Sequence, residues 1–226
     1  MLFRSGGGGV PRPGEISLAS HGVLFVDELP EFDRKVLEAL CEPLECGQIT
    51  ISRAARQTVF PCHFQLVAAM NPCPCGYQGH PVRTCRCSPD SITRYQGKIS
   101  GPLLDRIDML VPVSALSAED MLRPAAGEAS CVIASRVNRS RELQLQRQQK
   151  INTALSAGEL DALCQTDATT QSLLRSALER LHWSARAYHR VLRLARTIAD
   201  LDGSGAVTGS HVGEAIQYRQ IGRAHV

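Results

Sequence analysis

The stretch that decides the fold is Gly22–Phe32, GVLFVDELPEF. Val23–Val26 is a short continuous apolar run, the pattern of a strand buried on both faces. It leads straight into Asp27 and Glu28, two like charges that repel each other unless a ligand makes the pair useful. Parallel α/β sheets bind ligands beyond the carboxyl ends of their strands. An Asp at that place can hold Mg²⁺, directly or through water, against nucleotide phosphates, and a second carboxylate can orient and polarise an attacking water. The plain alternative is that the two acids open the turn before Leu29-Pro30.

Downstream of this stretch, Asp33 can cap a helix running to about Cys46, with Val36, Leu37, Leu40 and Leu44 on one face and Gly47 closing it. Gln48–Phe60 reads as two short strands around a turn at Arg53–Arg56. Phe64–Met70, FQLVAAM, is a second buried strand ending at Asn71. A cysteine-rich loop follows to about Ser88, then a helix over 91–100. Gly101–Val113, GPLLDRIDMLVPV, reads as a helical turn entering a third strand. Upstream, residues 6–22 are loop and turn. From Ser117 the pattern becomes helical throughout. Glu128–Lys150 is a basic, Gln-rich helix with Val132, Ile133, Val137 and Leu143 for one face. Several shorter helices fill 156–220, with turns at Ser184, Asp202–Gly205 and Gly209–Ser210.

The totals fit this α/β-then-α organisation. The 226 residues suffice for one large or two modest domains, and 43% hydrophobic and 21% charged content is that of an ordinary globular chain. No apolar run approaches the roughly 20 residues that span a bilayer, and no signal peptide is visible. The nine cysteines therefore suit a reducing cytoplasm better than a disulfide framework. Net charge is only +3, yet Lys35, Lys98 and Lys150 are the only lysines. Arginine carries the positive charge, which favours bidentate contacts to phosphate or carboxylate. The end segments MLFRS (1–5) and IGRAHV (221–226) read as translated adapter DNA rather than protein.

Further candidates lie on the same framework. A strand adjacent to Val23–Val26 would set Asn71 beside Glu28, where an amide can bond both a phosphate and a water; alone, Asn71 before Pro72 reads as a turn residue. Arg106, in LLDRID, can reach a neighbouring subunit's phosphate or be a surface charge. Cys73, Cys75, Cys85 and Cys87 form C-x-C…C-x-C, a candidate tetrahedral Zn²⁺ site whose tight pairs depart from the commoner C-x-x-C. Scattered Cys41, Cys46, Cys62, Cys131 and Cys164 read as small apolar residues. Between Arg53 and Arg106, seven Lys/Arg face two acids, a net +5 that exceeds the charge of the whole chain. Arg136, Arg139, Arg141, Arg147 and Lys150 read as a plain exposed face. Arg186, Arg190 and Arg193 share one helical face, opposite Val191, Leu192, Ala195 and Ile198. Arg186 falls in the first turn after a Ser184 cap, where an anion is favoured, while Arg190 and Arg193 read as surface or subunit-contact charges.

Taken together, PRPGEISLASHGVLFVDELPEFDRKVLEALCEPLECGQITISRA, FQLVAAMNPCPCG, CRCSPDSITRYQGKISGPLLDRID and SARAYHRVLRLARTIADL resemble the magnesium-chelatase-like AAA+ ATPases, and among them the bacterial ComM/YifB group, over residues 6–220. The resemblance implies a Walker B strand with Asp27 on Mg²⁺ and Glu28 as catalytic base. It makes Asn71 sensor 1, Arg106 the arginine finger and Arg186 the lid's sensor 2. The implied fold is the C-terminal part of a AAA+ P-loop core (6–116), a connecting helical segment (117–155) and an all-helical lid (156–220), assembled as a ring, usually a hexamer. The implied activity is ATP hydrolysis driving branch migration on single-stranded or branched DNA during recombination of incoming DNA, in the cytoplasm. In related helicases a hairpin at the place of Arg53 and Arg56 enters the ring pore and touches the DNA backbone; a solvated hairpin is the alternative. Two other functions stay open: a chelatase- or chaperone-like remodelling ATPase, and a passive zinc-bearing nucleic-acid-binding module. One departure stands out. No G-x-x-x-x-G-K-[ST] phosphate loop occurs in the chain; in the family it lies before the segment that begins at residue 6. A chain without it is expected to bind ATP weakly or not at all.

Overall fold

A computed structural model describes residues 12–53, 56–116, 118–122 and 127–220. The expected adapter-derived ends lie outside these residues. The chain divides into two units, residues 1–107 and 108–226.

The first unit is α/β. Its elements are α1 (Glu15–Leu18), β1 (Val23–Val26), α2 (Arg34–Glu38), α3 (Cys41–Cys46), β2 (Gln48–Arg53), β3 (Arg56–Pro61), β4 (Gln65–Ala68), α4 (Pro89–Gln96) and α5 (Gly101–Leu104). β1 and β4 pair in parallel, Val23 opposite Gln65 through Val26 opposite Ala68. Ile16, Leu24, Val26, Leu37, Ile49 and Leu103 pack into one core on one side of this pair. β1 is therefore buried on one face only. Successive side chains point to opposite faces, and Val23 and Phe25 remain 58% and 62% exposed. β4 is likewise shorter and less buried than the sequence suggests, with Val67 39% exposed.

The helix expected over Asp33–Cys46 is divided in two. Asp33 caps α2 by accepting from the Lys35 N–H at 3.1 Å. Pro43 then removes the N–H that would bond the Ala39 carbonyl, so the ladder lapses at Ala39–Leu40 before α3 resumes. Gly47 ends α3 in the left-handed region at φ 65°. β2 and β3 form the expected antiparallel hairpin, with Arg53 opposite Arg56 in its last pair. Ser88 and Ser100 cap α4 and α5, each with Pro in the first turn. The expected third strand does not form: residues 107–116 are neither helix nor strand. Pro112 has no N–H for a ladder, and the Leu110 N–H bonds the Tyr218 carbonyl at 2.8 Å instead.

The second unit is helical: α6 (Ala118–Leu122), α7 (Ser130–Gln148), α8 (Ala157–Leu163), α9 (Ala168–Leu181), α10 (Ala185–Leu201) and α11 (Gly209–Gln220). Trp183, Val191, Leu192, Ala195, Val212 and Ile216 are among its core. Starts are encoded locally: Asp167 accepts from the Thr170 N–H at 2.8 Å, and Ser184 from the Ala187 N–H at 3.2 Å. Glu159 reaches back to the Ser156 N–H at 2.8 Å. The hydrogen bond from Lys150, then those from Ser156, hold its carboxyl at about 2.

α7 overturns its expected face. Val132, Ile133, Val137 and Leu143 are all exposed, and the residues it buries are Ser140 and Gln144. Its C-terminal end docks through polar contacts. Gln144 Oε1 accepts from the Asn152 N–H at 2.9 Å, and Arg147 grips both carboxylate oxygens of buried Asp200 at 2.5 and 3.0 Å. Asn152 Nδ2 donates to Asp200 at 2.8 Å, and buried Arg196 donates to Asp200 and to the carbonyls of Ser204 and Gly205. Burial pushes the Asp200 carboxyl up, but the hydrogen bonds from Arg147 and Asn152 and the Arg196 charge outweigh it, leaving it below the usual range. Arg147 thus belongs to a largely buried ion pair, and Lys150 to a partly exposed one with Glu159, rather than to a plain face of unpaired charges. Arg190 and Arg193 are also internal: Arg190 pairs with Asp108, and Arg193 donates to the carbonyls of Asn152 and Leu155 at 3.1 and 2.9 Å.

Candidate functional site

The carboxylate pair leaves the carboxyl end of β1. The ladder with β4 continues past both strands: Ala69 N–H bonds Val26 O at 2.9 Å, and Leu29 N–H bonds Ala69 O at 3.0 Å. Asp27–Glu28 and Met70–Asn71 therefore emerge at the same end of the parallel pair. Glu28 sits in the left-handed region, φ 51° and ψ 47°, and opens a short 3₁₀ turn over Leu29–Glu31. A branched-Cβ-free but bulky L-residue held there is strained, a state that persists only where the surroundings impose it. Asp27 Oδ1 accepts the Glu28 N–H at 2.9 Å. Both side chains are exposed, and neither has a Lys or Arg partner within salt-bridge distance among the described residues. Exposed oxygen donors of this kind fit a hard divalent cation.

Asn71 is held by neighbours that sequence reasoning did not single out. The Tyr95 hydroxyl meets the Asn71 N–H, and Gln96 Nε2 donates to the Pro72 carbonyl at 2.9 Å. Burial raises the Tyr95 phenol, the charges of Glu31 and Glu28 add to this, and the Asn71 N–H opposes it. Gly76, at φ 79°, lies beside Asn71: a Cβ there would be in ordinary van der Waals contact, 3.8 Å from Asn71 Oδ1. The sequence signal was the 3.6-residue period of α4, which turns Tyr95 inward.

Arg106 folds back onto its own unit. Its Nη1 donates to Pro102 O at 2.8 Å, and its Nε lies 3.0 Å from Glu45 Oε2, an ion pair whose angle is not that of a hydrogen bond. Glu45 as its partner carried no sequence signal. Arg186 is exposed in the first turn of α10, two residues after the Ser184 cap. Arg53 and Arg56 end the two strands of the hairpin, whose tip, residues 54–55, lies outside the described residues.

The four clustered cysteines converge. One sulfur from each of Cys73, Cys75, Cys85 and Cys87 lies within 4.8 Å of the others. The nine cysteines are all free thiols. Backbone N–H groups of Tyr77 and Arg86 pull the Cys75 thiol down to about 6, while burial pushes Cys87 up to about 12. Such a set could hold a metal ion.

Among the described residues, no helix is long and apolar enough to cross a membrane. The family model described as magnesium chelatase, subunit ChlI, matches residues 4–121, and that of the ChlI C-terminal region matches 127–219. The chain is 48% identical over 220 residues to the competence protein ComM of Haemophilus influenzae, and 45% identical over 220 residues to the uncharacterized protein YifB of Escherichia coli. Each match covers 96% of this chain and 43% of the relative, so the chain spans less than half the length of these relatives. It is 26% identical over 210 residues to the chloroplastic magnesium-chelatase subunit ChlI-2 of Arabidopsis thaliana, covering 91% of this chain and 44% of that protein. The chain belongs to the magnesium-chelatase ChlI family, with the ComM and YifB proteins among its relatives.

Proposed function

We propose that the chain supplies the hydrolytic residues of a AAA+ ATPase acting on DNA. The observation that carries this reading is the shared exit of Asp27–Glu28 and Asn71 from one end of a parallel strand pair, with Glu28 held in a strained left-handed turn. Asp27 would hold Mg²⁺. Bound Mg²⁺·ATP would supply an electrophilic γ-phosphate with part of its charge neutralised. Glu28 would accept the proton of the attacking water, and Asn71 would orient that water and a phosphate oxygen. Arg106 would serve a neighbouring subunit in a ring, the hexamer usual for AAA+ proteins, once its tie to Glu45 is released, and Arg186 would sense the phosphate from the lid.

DNA as the partner is favoured by the name competence protein borne by one relative and by the net +5 between Arg53 and Arg106. Contacts from Arg53 and Arg56 would be to phosphate, hence salt-sensitive and sequence-blind. A chelatase-like remodelling ATPase is the second reading, favoured by the ChlI-2 relative. A passive zinc-bearing binding module would have no use for the strained Glu28.

The test uses a protein that carries this chain together with a phosphate loop. Glu28→Gln should lower kcat by about 10²-fold or more with ATP binding kept. Single-stranded DNA should stimulate hydrolysis. Arg53→Ala with Arg56→Ala should remove the stimulation and lower the salt slope of DNA binding by about 2. Full activity of Glu28→Gln would overturn the catalytic assignment, and absence of any DNA effect would leave the remodelling reading in its place.

A further inference from the structure

Residues 69–88, between β4 and α4, contain neither helix nor strand. Uncovered loops of this length are uncommon in compact domains unless something ties them down. Apart from Cys73, which is fully buried, no residue from 69 to 88 is buried. No apolar core of its own holds the loop together. Four sulfurs sit at its centre instead. Cys73 Sγ is 3.4 Å from Cys75 Sγ and 3.7 Å from Cys85 Sγ, and Cys75 and Cys85 are 3.6 Å apart. These separations are far too long for a disulfide, whose S–S length is about 2.05 Å. They lie within a few tenths of the roughly 3.8 Å edge of a tetrahedron with Zn–S bonds of about 2.3 Å.

The backbone supports the same geometry. The Cys87 N–H points at Cys85 Sγ at 3.4 Å, and the Gly76 N–H closes a turn onto the Cys73 carbonyl at 3.0 Å. Left-handed Gly76 and Gly79, at φ 79° and 75°, let the chain fold back between the two pairs. Amides aimed at sulfur stabilise thiolate charge, as outer-shell partners do in metal sites.

We infer that Cys73, Cys75, Cys85 and Cys87 bind one structural Zn²⁺ as a closed tetrathiolate, and that this ion pins the loop which starts at Asn71 and ends at the Ser88 cap of α4. Binding displaces the thiol protons and leaves no open coordination position, so the ion is structural, not catalytic. The inference does not rest on ATP hydrolysis.

The chain is purified under reducing conditions without chelator, and its metal is measured. About one zinc per chain is expected. Cobalt added to the metal-free chain should give the visible bands of a tetrahedral thiolate site and intense sulfur-to-cobalt charge transfer. Cys87→Ser should lose the zinc, whereas Cys46→Ser, at an exposed cysteine outside the cluster, should keep it. Removing zinc with a chelator from the folded chain should make trypsin cut at Arg83 and Arg86 about tenfold faster or more, a readout that needs no variant to fold. A zinc-free chain, stoichiometric iron, or cobalt bound without charge transfer would overturn the site. Equal cleavage with and without zinc would overturn its role in pinning the loop.

Discussion

Asp200 shows how much one residue can organise. It receives Arg147, Asn152 and Arg196 while only 3% exposed. Removing one partner of a buried ion pair leaves an uncompensated charge, at a cost of about 3–5 kcal/mol. Asp200→Ala should therefore destabilise the helical unit by about that amount in urea unfolding followed by helical circular dichroism, whereas a loss under about 1 kcal/mol would mean the network is not held together by this carboxylate. Nothing in the sequence announces this centre. Arg196 and Asp200 are four apart on a helix, the spacing of an ordinary surface pair. Their burial follows from the turn at Ser204–Gly205, whose carbonyls cover the guanidinium, and no local pattern encodes that. Asp27, Glu28 and Asn71 were legible for the opposite reason: each is a polar residue ending an apolar run.

Among the elements, the junction from α3 to β2 is tightly constrained. Gly47 is left-handed, and a Cβ there would lie 2.1 Å from His63 Cε1. Gly47→Ala should cost about 1–2 kcal/mol from backbone strain alone, plus the displacement of the His63 ring. Made in a His63→Ala background, the same change should show the strain without the clash. A double-mutant cycle by chemical denaturation separates the two, and equal costs in both backgrounds would show that the ring moves aside freely. The position of this glycine was readable because helix ends obey local rules. So were the Ser184 cap and the β2–β3 hairpin. The break between α2 and α3 was written in Pro43 but hidden by the continuous apolar face of Val36, Leu37, Leu40 and Leu44. The apolar run after Arg106 does not become a third strand, because a strand also needs a partner edge, which is not a property of the run. α7 departs from its expected face for a similar reason: its apolar residues have helical spacing, yet its docking is polar.

At the scale of the whole molecule, the chain carries the carboxylates and sensor residues proposed for a nucleotide site, and its sequence contains no phosphate-loop motif. Isothermal titration of the chain with Mg²⁺·ATP should give weak binding or none, because the loop's backbone N–H groups and lysine supply most of the phosphate contacts in such sites; tight binding would show that the residues present suffice. The same scale explains the bare side of the β1–β4 pair. Parallel strands are normally covered on both faces, and here Val23, Phe25 and Val67 stand open on one of them. For anyone handling the protein this has a practical meaning: exposed apolar side chains next to two strand edges are expected to promote self-association, which favours dilute samples or mild detergent over concentration.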